Sequence, residues 1–304
     1  MPKVAVAVPV YNGERYLEAS LASLLAQTFG DFELLILDNA STDGSEKISR
    51  AFAARDARVR YHRNPQNIGG GPNWNLAFDL ASPAPYFKWA AHDDVHAPRF
   101  LERCVAALDA DPGAVLAFTG ANRIDPDGKL IGPRTLEIPL GSPDRMSRFF
   151  PLLESYDCLE IHAVMRRDAL LKLGKPVLGM HLDGDGVMLI RLALMGRFHL
   201  VDECLFSYRS HEAQTVSRFD KDYEAWVRWW DPSQAGRRVF PHWRRQLELW
   251  RAVLATPYPL SERVRCAVAL AKWIKWNPER YVKEAKKNGR EIWESLLAPL
   301  KPLK

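Results

Sequence analysis

From Lys3 to Val10 the chain reads KVAVAVPV, an apolar, valine-rich run of strand length that suits a strand covered on both faces. The period then changes. Tyr16, Leu17, Leu21, Leu24 and Leu25 recur at helical spacing, which predicts a helix from Glu14 to about Gln27. FELLILDN reads as a second buried strand. STDGSEKISRAFAAR opens with helix-capping residues and continues as an amphipathic helix. VRYHRN is a short third strand, GGGPNWNLAFDLA a third helix, and YFKWAAHDD a fourth strand running into two adjacent aspartates. Strands alternating with helices predict an α/β fold built on a parallel, doubly wound sheet.

Beyond Pro98 the alternation loosens. FLERCVAALDADPG reads as a helix and turn, AVLAFTG as a strand, IDPDGKLI as a hairpin turn and HAVMRRDALLKLG as a strand then a helix. DGDGVMLIRLALMG is helical, and RFHLVDECLFSYRSH reads as strands. From Asp220 onward the pattern is helical, rich in Trp and Arg, and punctuated by Pro232, Pro241, Pro257, Pro259 and Pro278. The expected division is a catalytic-type domain over 1–217 and a helical, basic, Trp-rich extension over 218–304.

With 304 residues, 47% hydrophobic and 26% charged, the chain can bury a substantial core and is not a disordered sequence. The net charge of +5 is unevenly distributed: residues 261–304 hold 11 basic and 5 acidic residues, whereas residues 1–217 hold 23 and 27. Cys104, Cys158, Cys204 and Cys266 are scattered, without CxxC pairs or His partners at metal-ligand spacing, which points to a reducing compartment. The N-terminal apolar run is too short for a secretory h-region, and no stretch approaches 18 consecutive apolar residues. The expected location is cytoplasmic, or peripheral on the inner face of a membrane.

In open α/β sheets, ligands bind beyond the carboxyl ends of the strands. PVYNG, LDNASTDG, NPQNIGGG and HDD all fall at such ends, so four loops should converge on one rim. The first loop lacks GxGxxG and no Walker lysine occurs, which sets aside dinucleotide and P-loop chemistry. Asp93 and Asp94 are open to two readings. One is a helix cap with a solvated neighbour; the other is a site where carboxylates and diphosphate oxygens share a hard divalent cation, Mg²⁺ or Mn²⁺.

VPVYNGERYLEASLASLLAQTFGDFELLILDNASTDGS, followed by NIGG and KWAAHDD, resembles the family 2 glycosyltransferases of the GT-A fold over roughly residues 3–215. The resemblance implies a Rossmann-like, mainly parallel sheet flanked by helices, with the helical C-terminal extension appended. It implies an inverting, metal-dependent enzyme that moves a sugar from a nucleoside diphosphate sugar, with UDP or dTDP favoured, to an acceptor hydroxyl in polysaccharide, glycolipid or glycoconjugate synthesis. The acceptor would be a saccharide or lipid-linked. Pro9, Tyr11, Asp38 and Asn39 would then lie at the nucleotide, Asp93 at the ribose, and Asp94 at the metal.

Asn39 departs from the family's usual second aspartate in this loop. NIGGGPNWN is similar to the family's NxGxxxARN stretch and keeps Asn67, Gly69 and Asn75, with Trp74 in the Arg position; turn glycines without ligand would look the same. DGDGVMLIRLALMG resembles the helix that carries the catalytic base, and aligning back from Gly196 puts Asp185 in that role. Asp183 is the fallback, and Gly184 replaces a Glu. SYRSHEAQTVS is similar to the segment after the last core strand, where His211 would join the metal or contact the diphosphate and Arg209 would offset the diphosphate charge.

The tail leaves two readings open. Val264, Ala267, Ala271 and Ile274 form a predicted apolar stripe that could pack on the domain. Alternatively, the basic residues and Trp273, Trp276 and Trp293 could hold residues 261–304 on an anionic membrane surface. No nucleic-acid-binding module accompanies the charge, so no nucleic-acid partner is expected. A non-catalytic nucleotide-sugar-binding scaffold acting through the tail is the competing function. A sugar-1-phosphate nucleotidyltransferase is disfavoured by the missing Gly-rich signature.

Overall fold

A computed structural model describes residues 1–134, 139–154, 158–181, 183–212, 222–255 and 259–297. The expected 217/218 domain boundary lies outside these residues, as do Pro257 and the end of SYRSHEAQTVS.

The first four strands are β1 (Val4–Val10), β2 (Phe32–Asp38), β3 (Val59–Arg63) and β4 (Tyr86–Trp89). They form a parallel block in the order β3-β2-β1-β4, and β1 is buried throughout. Its period of two divides the residues between two cores. Val4, Val6, Val8 and Val10 enter one with Leu17, Leu21 and Leu24 of α1 (Glu14–Leu25). Ala5 and Ala7 enter the other with Ala77 and Phe78 of α3 (Gly70–Leu80). Helix α2 (Ser45–Arg55) completes the first half.

β5 (Val95–His96), α4 (Phe100–Ala110), β6 (Ala114–Ile124), β7 (Leu130–Arg134) and α5 (Arg145–Glu154) follow. After them come β8 (Val164–Arg166), α6 (Arg167–Lys172), α7 (Gly184–Met195) and β9 (Arg197–Arg209). The sheet continues β4-β8-β6-β9-β5, with β8 antiparallel to both neighbours and β9 parallel to β6. The sequence pattern missed α5, because Pro151 lies inside it. Packing overrides that local penalty: Met146, Phe149, Leu152 and Leu153 are all in the core.

The extension consists of α8 (Tyr223–Trp230), α9 (Pro241–Ala255), α10 (Leu260–Trp276) and α11 (Pro278–Leu297). Trp230, Leu249, Val253, Cys266 and Leu270 belong to the same core as Ala5 and Leu35. The extension is therefore packed on the sheet domain, but not through the predicted stripe. Cys266 and Leu270 are the buried residues of α10, while Val264 is 52% exposed. The stripe was misplaced because the deepest position is filled by a cysteine, whose Sγ lies 3.7 Å from Met146 Sδ. Among the described residues, no helix is long and apolar enough to cross a membrane.

Candidate functional site

Parallel pairing brings the loops after β1, β2, β3 and β4 to one rim. The first two loops are laced together: Asn12 N–H donates to Ser41 Oγ at 3.0 Å, Gly13 N–H to Ser45 Oγ at 2.9 Å and Thr42 N–H to Asn12 Oδ1 at 2.8 Å. A Cβ on Gly13 would stand 2.5 Å from the His92 ring, so the fourth loop closes on the first. Pro9 is buried within β1, and Tyr11 is exposed just past its end.

Asp38 is fully buried. Its Oδ1 accepts Ser41 N–H at 2.8 Å, and its Oδ2 accepts the Tyr61 hydroxyl at 2.8 Å and an Arg63 N–H at 2.5 Å. Burial favours the neutral acid, but these bonds outweigh it and hold the carboxyl below its ordinary range. Neither Tyr61 nor Arg63 drew attention in the sequence. Arg63 sits opposite Asp38 in the β2–β3 register, information that a single chain does not display.

Asn39 has all four amide hydrogen-bonding positions occupied. Its Nδ2 donates to Asn67 Oδ1 at 2.9 Å and Gly69 O at 3.1 Å; its Oδ1 accepts Asn64 Nδ2 and Ile68 N–H, each at 3.0 Å. Asn64 also donates to Asn73 Oδ1 at 2.8 Å. An aspartate at position 39 would face two acceptors with nothing to donate, so the departure from the family pattern matches its surroundings.

The glycines after this network receive protein. Gly69 has φ +92°, and a Cβ there would stand 2.2 Å from Pro232 Cδ; one on Gly71 would stand 2.9 Å from the Trp230 ring. Trp230 Nε1 donates to Gly179 O at 3.1 Å. Asn75 clamps the same approach, since its Nδ2 donates to Leu178 O at 3.0 Å and its Oδ1 accepts Leu178 N–H at 2.9 Å. Asn67, Gly69 and Asn75 thus organise the loop between β3 and α3 and tie it to the lead-in to α7.

At the end of β4, His211 Nε2 lies 2.9 Å from Asp93 Oδ2. Asp93 is held below the ordinary carboxylate range despite its burial, because His211 hydrogen-bonds it and His92 and His211 add positive charge. Asp94 turns inward, its Oδ1 accepting Arg209 N–H at 2.9 Å and its Oδ2 standing 3.9 Å from His162 Nε2. Burial and then the Asp93 charge push its carboxyl well above the ordinary range. Arg209 is itself buried: its guanidinium donates to the carbonyls of Asp93, Asp125 and Pro126 and lies 4.6 Å above the Tyr16 ring. Lys88, wholly buried, donates to His162 O, and burial lowers its pKa to about 7.

His211 reaches Asp93 rather than Asp94, so the structure does not bring the expected metal ligands Asp94 and His211 directly together, and with Asp93 they form no trio of ligand-type atoms within 4.8 Å among the described residues. The Asp93 carboxylate and the His211 imidazole are nevertheless donor types that Mg²⁺ or Mn²⁺ accepts, with its other positions left to water and substrate phosphates.

The second acidic group stands at the start of α7. Asp183, in the left-handed region at φ +61°, has one oxygen paired with Arg245 of α9. Its other oxygen is 4.0 Å from Cys158 Sγ. Asp185 Oδ1 accepts Gly186 N–H at 2.9 Å, and burial, followed by the Asp183 charge, raises its pKa to about 6. Gly184 has a geometric reason to replace Glu: a Cβ there would stand 2.2 Å from Gly179 O. Among the described residues, Cys158, Asp183 and Asp185 form the one trio whose ligand-type atoms lie within 4.8 Å of one another. A carboxyl near pKa 6 suits proton abstraction at neutral pH.

A family model described as "Glycosyl transferase family 2" matches residues 5–174. The chain belongs to that family. This family 2 chain is 25% identical over 240 residues to an uncharacterised glycosyltransferase of Rickettsia typhi, a match covering 75% of this chain and 70% of the other. It is 29% identical over 128 residues to one from Rickettsia felis, covering 42% of this chain and 21% of that longer protein. In fold it is similar to TarS 1-349 of S. aureus, with a TM-score of 0.59, 18% identity, and coverage of 91% and 73% of the two chains. The same S. aureus protein in complex with UDP gives a TM-score of 0.54 at 19% identity over 92% of this chain. The fold is thus of the GT-A type found in glycosyltransferases, with its helical extension in place.

Proposed function

We propose that this chain transfers a sugar from a nucleoside diphosphate sugar, with UDP or dTDP favoured, to an acceptor hydroxyl, with inversion at the anomeric carbon. The observation that carries the reading is the contrast between two carboxylates: Asp93 is stabilised as an anion beside His211, while Asp185 is poised near pKa 6. Contacts from each region lead to the middle of α3. His162, 3.9 Å from Asp94, has its ring 6.2 Å from that of Trp74, and the adjacent Asn75 holds the loop that leads into Asp183 and Asp185.

In this reading the Asp93–Asp94 turn and His211 hold Mg²⁺ or Mn²⁺, which would supply positive charge against the departing diphosphate. Tyr11 offers its exposed ring to the base, beside Pro9 and the Asp38–Asn39 loop. Arg209 acts by fixing the acidic turn, through the Asp94 carboxylate and the Asp93 carbonyl. Asp185 accepts the proton of the acceptor hydroxyl as its oxygen attacks, and Arg245 compensates the neighbouring Asp183 charge. The TarS complex with UDP supports the choice of nucleotide by fold likeness. We place the reaction at the cytoplasmic face of a membrane, on a saccharide or lipid-linked acceptor, in surface glycan or glycoconjugate synthesis.

Thermal shift with Mn²⁺ and UDP, dTDP and GDP sugars tests the donor, since a ligand bound only to the native state raises apparent stability. A Mn²⁺-dependent rise with a UDP or dTDP sugar is expected. No rise with any of them would reject the reading.

A further inference from the structure

Between α5 and α10 runs a groove of about 530 Å³, within the range of small-ligand clefts at roughly 300–1,000 Å³. Phe150 and Leu153 line one side, and Val264, Val268 and Trp273 line the other. Its walls are tied together: Arg145 pairs with Glu262, and Cys266 packs on Met146. The lining is otherwise apolar apart from Arg265 and Lys272, both basic. Trp276, also in the lining, is 63% exposed.

We propose that this groove seats a hydrocarbon chain of an anionic membrane phospholipid, with Arg265 and Lys272 meeting its phosphate. An apolar bed with basic side chains and an exposed indole is the chemistry of an interfacial anchor, and the charge complementarity selects an anionic head group. Its place also serves the reaction. Leu153 is five residues from Cys158, so an extended chain separates their Cα atoms by at most about 18 Å. Cys158 in turn stands beside Asp183. Resting on the reading of Asp185 as the acceptor's base, the groove would bring the membrane surface to the acceptor side of the site.

The test is co-sedimentation of the full chain with phosphatidylglycerol-containing vesicles and with pure phosphatidylcholine vesicles, at low and high salt. Binding is expected only to the anionic vesicles and should weaken with salt. Arg265→Gln and Lys272→Gln should each lower partitioning about fivefold, as about 1 kcal/mol per basic residue converts. Val268→Asp, at a position 47% exposed and so tolerant of a polar group, should lower it at least as much. Lipids brominated in the acyl chain should quench indole emission, and Trp276→Phe should reduce that quenching. Equal binding to both vesicle types, binding to neither, or unchanged partitioning of Val268→Asp would overturn the proposal. Donor binding, followed by thermal shift on the same variants without lipid, should be unchanged. Failure of donor binding in the unaltered chain would instead count against the transferase reading, whatever the vesicles show.

Discussion

Arg245 of α9 pairs with Asp183, 62 residues earlier in the chain and two residues before Asp185. The pairing separates two carboxylates that the sequence presents as near equals. Asp183 has a cation, while Asp185 is left half-buried near pKa 6 with the Gly186 N–H. Asp185→Asn should therefore reduce kcat by roughly 10²-fold or more while donor affinity stays within a few-fold, as for loss of a positioned base. Asp183→Asn should do much less. Steady-state kinetics on both variants, with donor binding measured separately, checks the order.

The pH dependence follows from the same pair. Because burial and Asp183 raise the Asp185 pKa, the carboxylate form that the proposed base requires appears as pH rises through about 6, and kcat should climb there. Arg245→Gln leaves Asp183 uncompensated, so the acidic limb should move to higher pH, and Arg245→Lys should move it less. A pH–rate profile of the three proteins distinguishes this from a purely structural loss, which would lower the plateau without displacing the limb.

In the proposed site, Asp94 should couple stability to the response to cation. Its pKa is raised in the folded state, so the native protein binds more protons than the unfolded chain above the ordinary carboxylate range. Asp94 should therefore make stability fall as pH rises through the window up to its shifted value. Asp94→Asn keeps an acceptor for Arg209 N–H and removes repulsion from Asp93, so without added cation it should be more stable than the parent near pH 8. The same change should weaken Mn²⁺-dependent donor binding. Urea unfolding and thermal shift read the two effects, and a variant both less stable and unchanged in Mn²⁺ response would contradict this role.

The amide cluster gives a structural counterpart. Asn39→Asp would set its carboxylate against Asn67 Oδ1 and Gly69 O, and the expected loss is about 1–3 kcal/mol in urea unfolding. If the variant proved as stable as the parent, the amide orientations assigned to this cluster would be wrong.

Period and order made much of this legible from the sequence. The alternation of β1 between two cores, the helical spacing in α1 and the turn residues at strand ends placed four loops on one rim. The motif-bearing residues followed from that placement and from the family resemblance. Pairings across the fold were not legible. Register sets Arg63 opposite Asp38, and the return of α9 sets Arg245 on Asp183; neither leaves a local signature. The sequence could not tell whether the glycines near Gly69 admit a ligand or only a turn; Trp230 and Pro232 come close to them, and a glycine admits any close neighbour equally. In α10 the apolar spacing alone could not tell the Cys266–Leu270 face from the predicted stripe of Val264, Ala267, Ala271 and Ile274, since both recur at helical spacing.

Glycosyl transfer driven by Asp185 at a cation-assisted donor site is tested most directly by release of the nucleoside diphosphate from the UDP or dTDP sugar that gives the largest thermal shift, as its sugar passes to an added saccharide acceptor or to water, with Mn²⁺ or EDTA, for the parent chain and Asp185→Asn. The expected result is Mn²⁺-dependent release in the parent that EDTA abolishes and Asp185→Asn cuts by roughly 10²-fold or more with the donor still bound. Release at the parent rate by Asp185→Asn, or release indifferent to EDTA, would contradict the account.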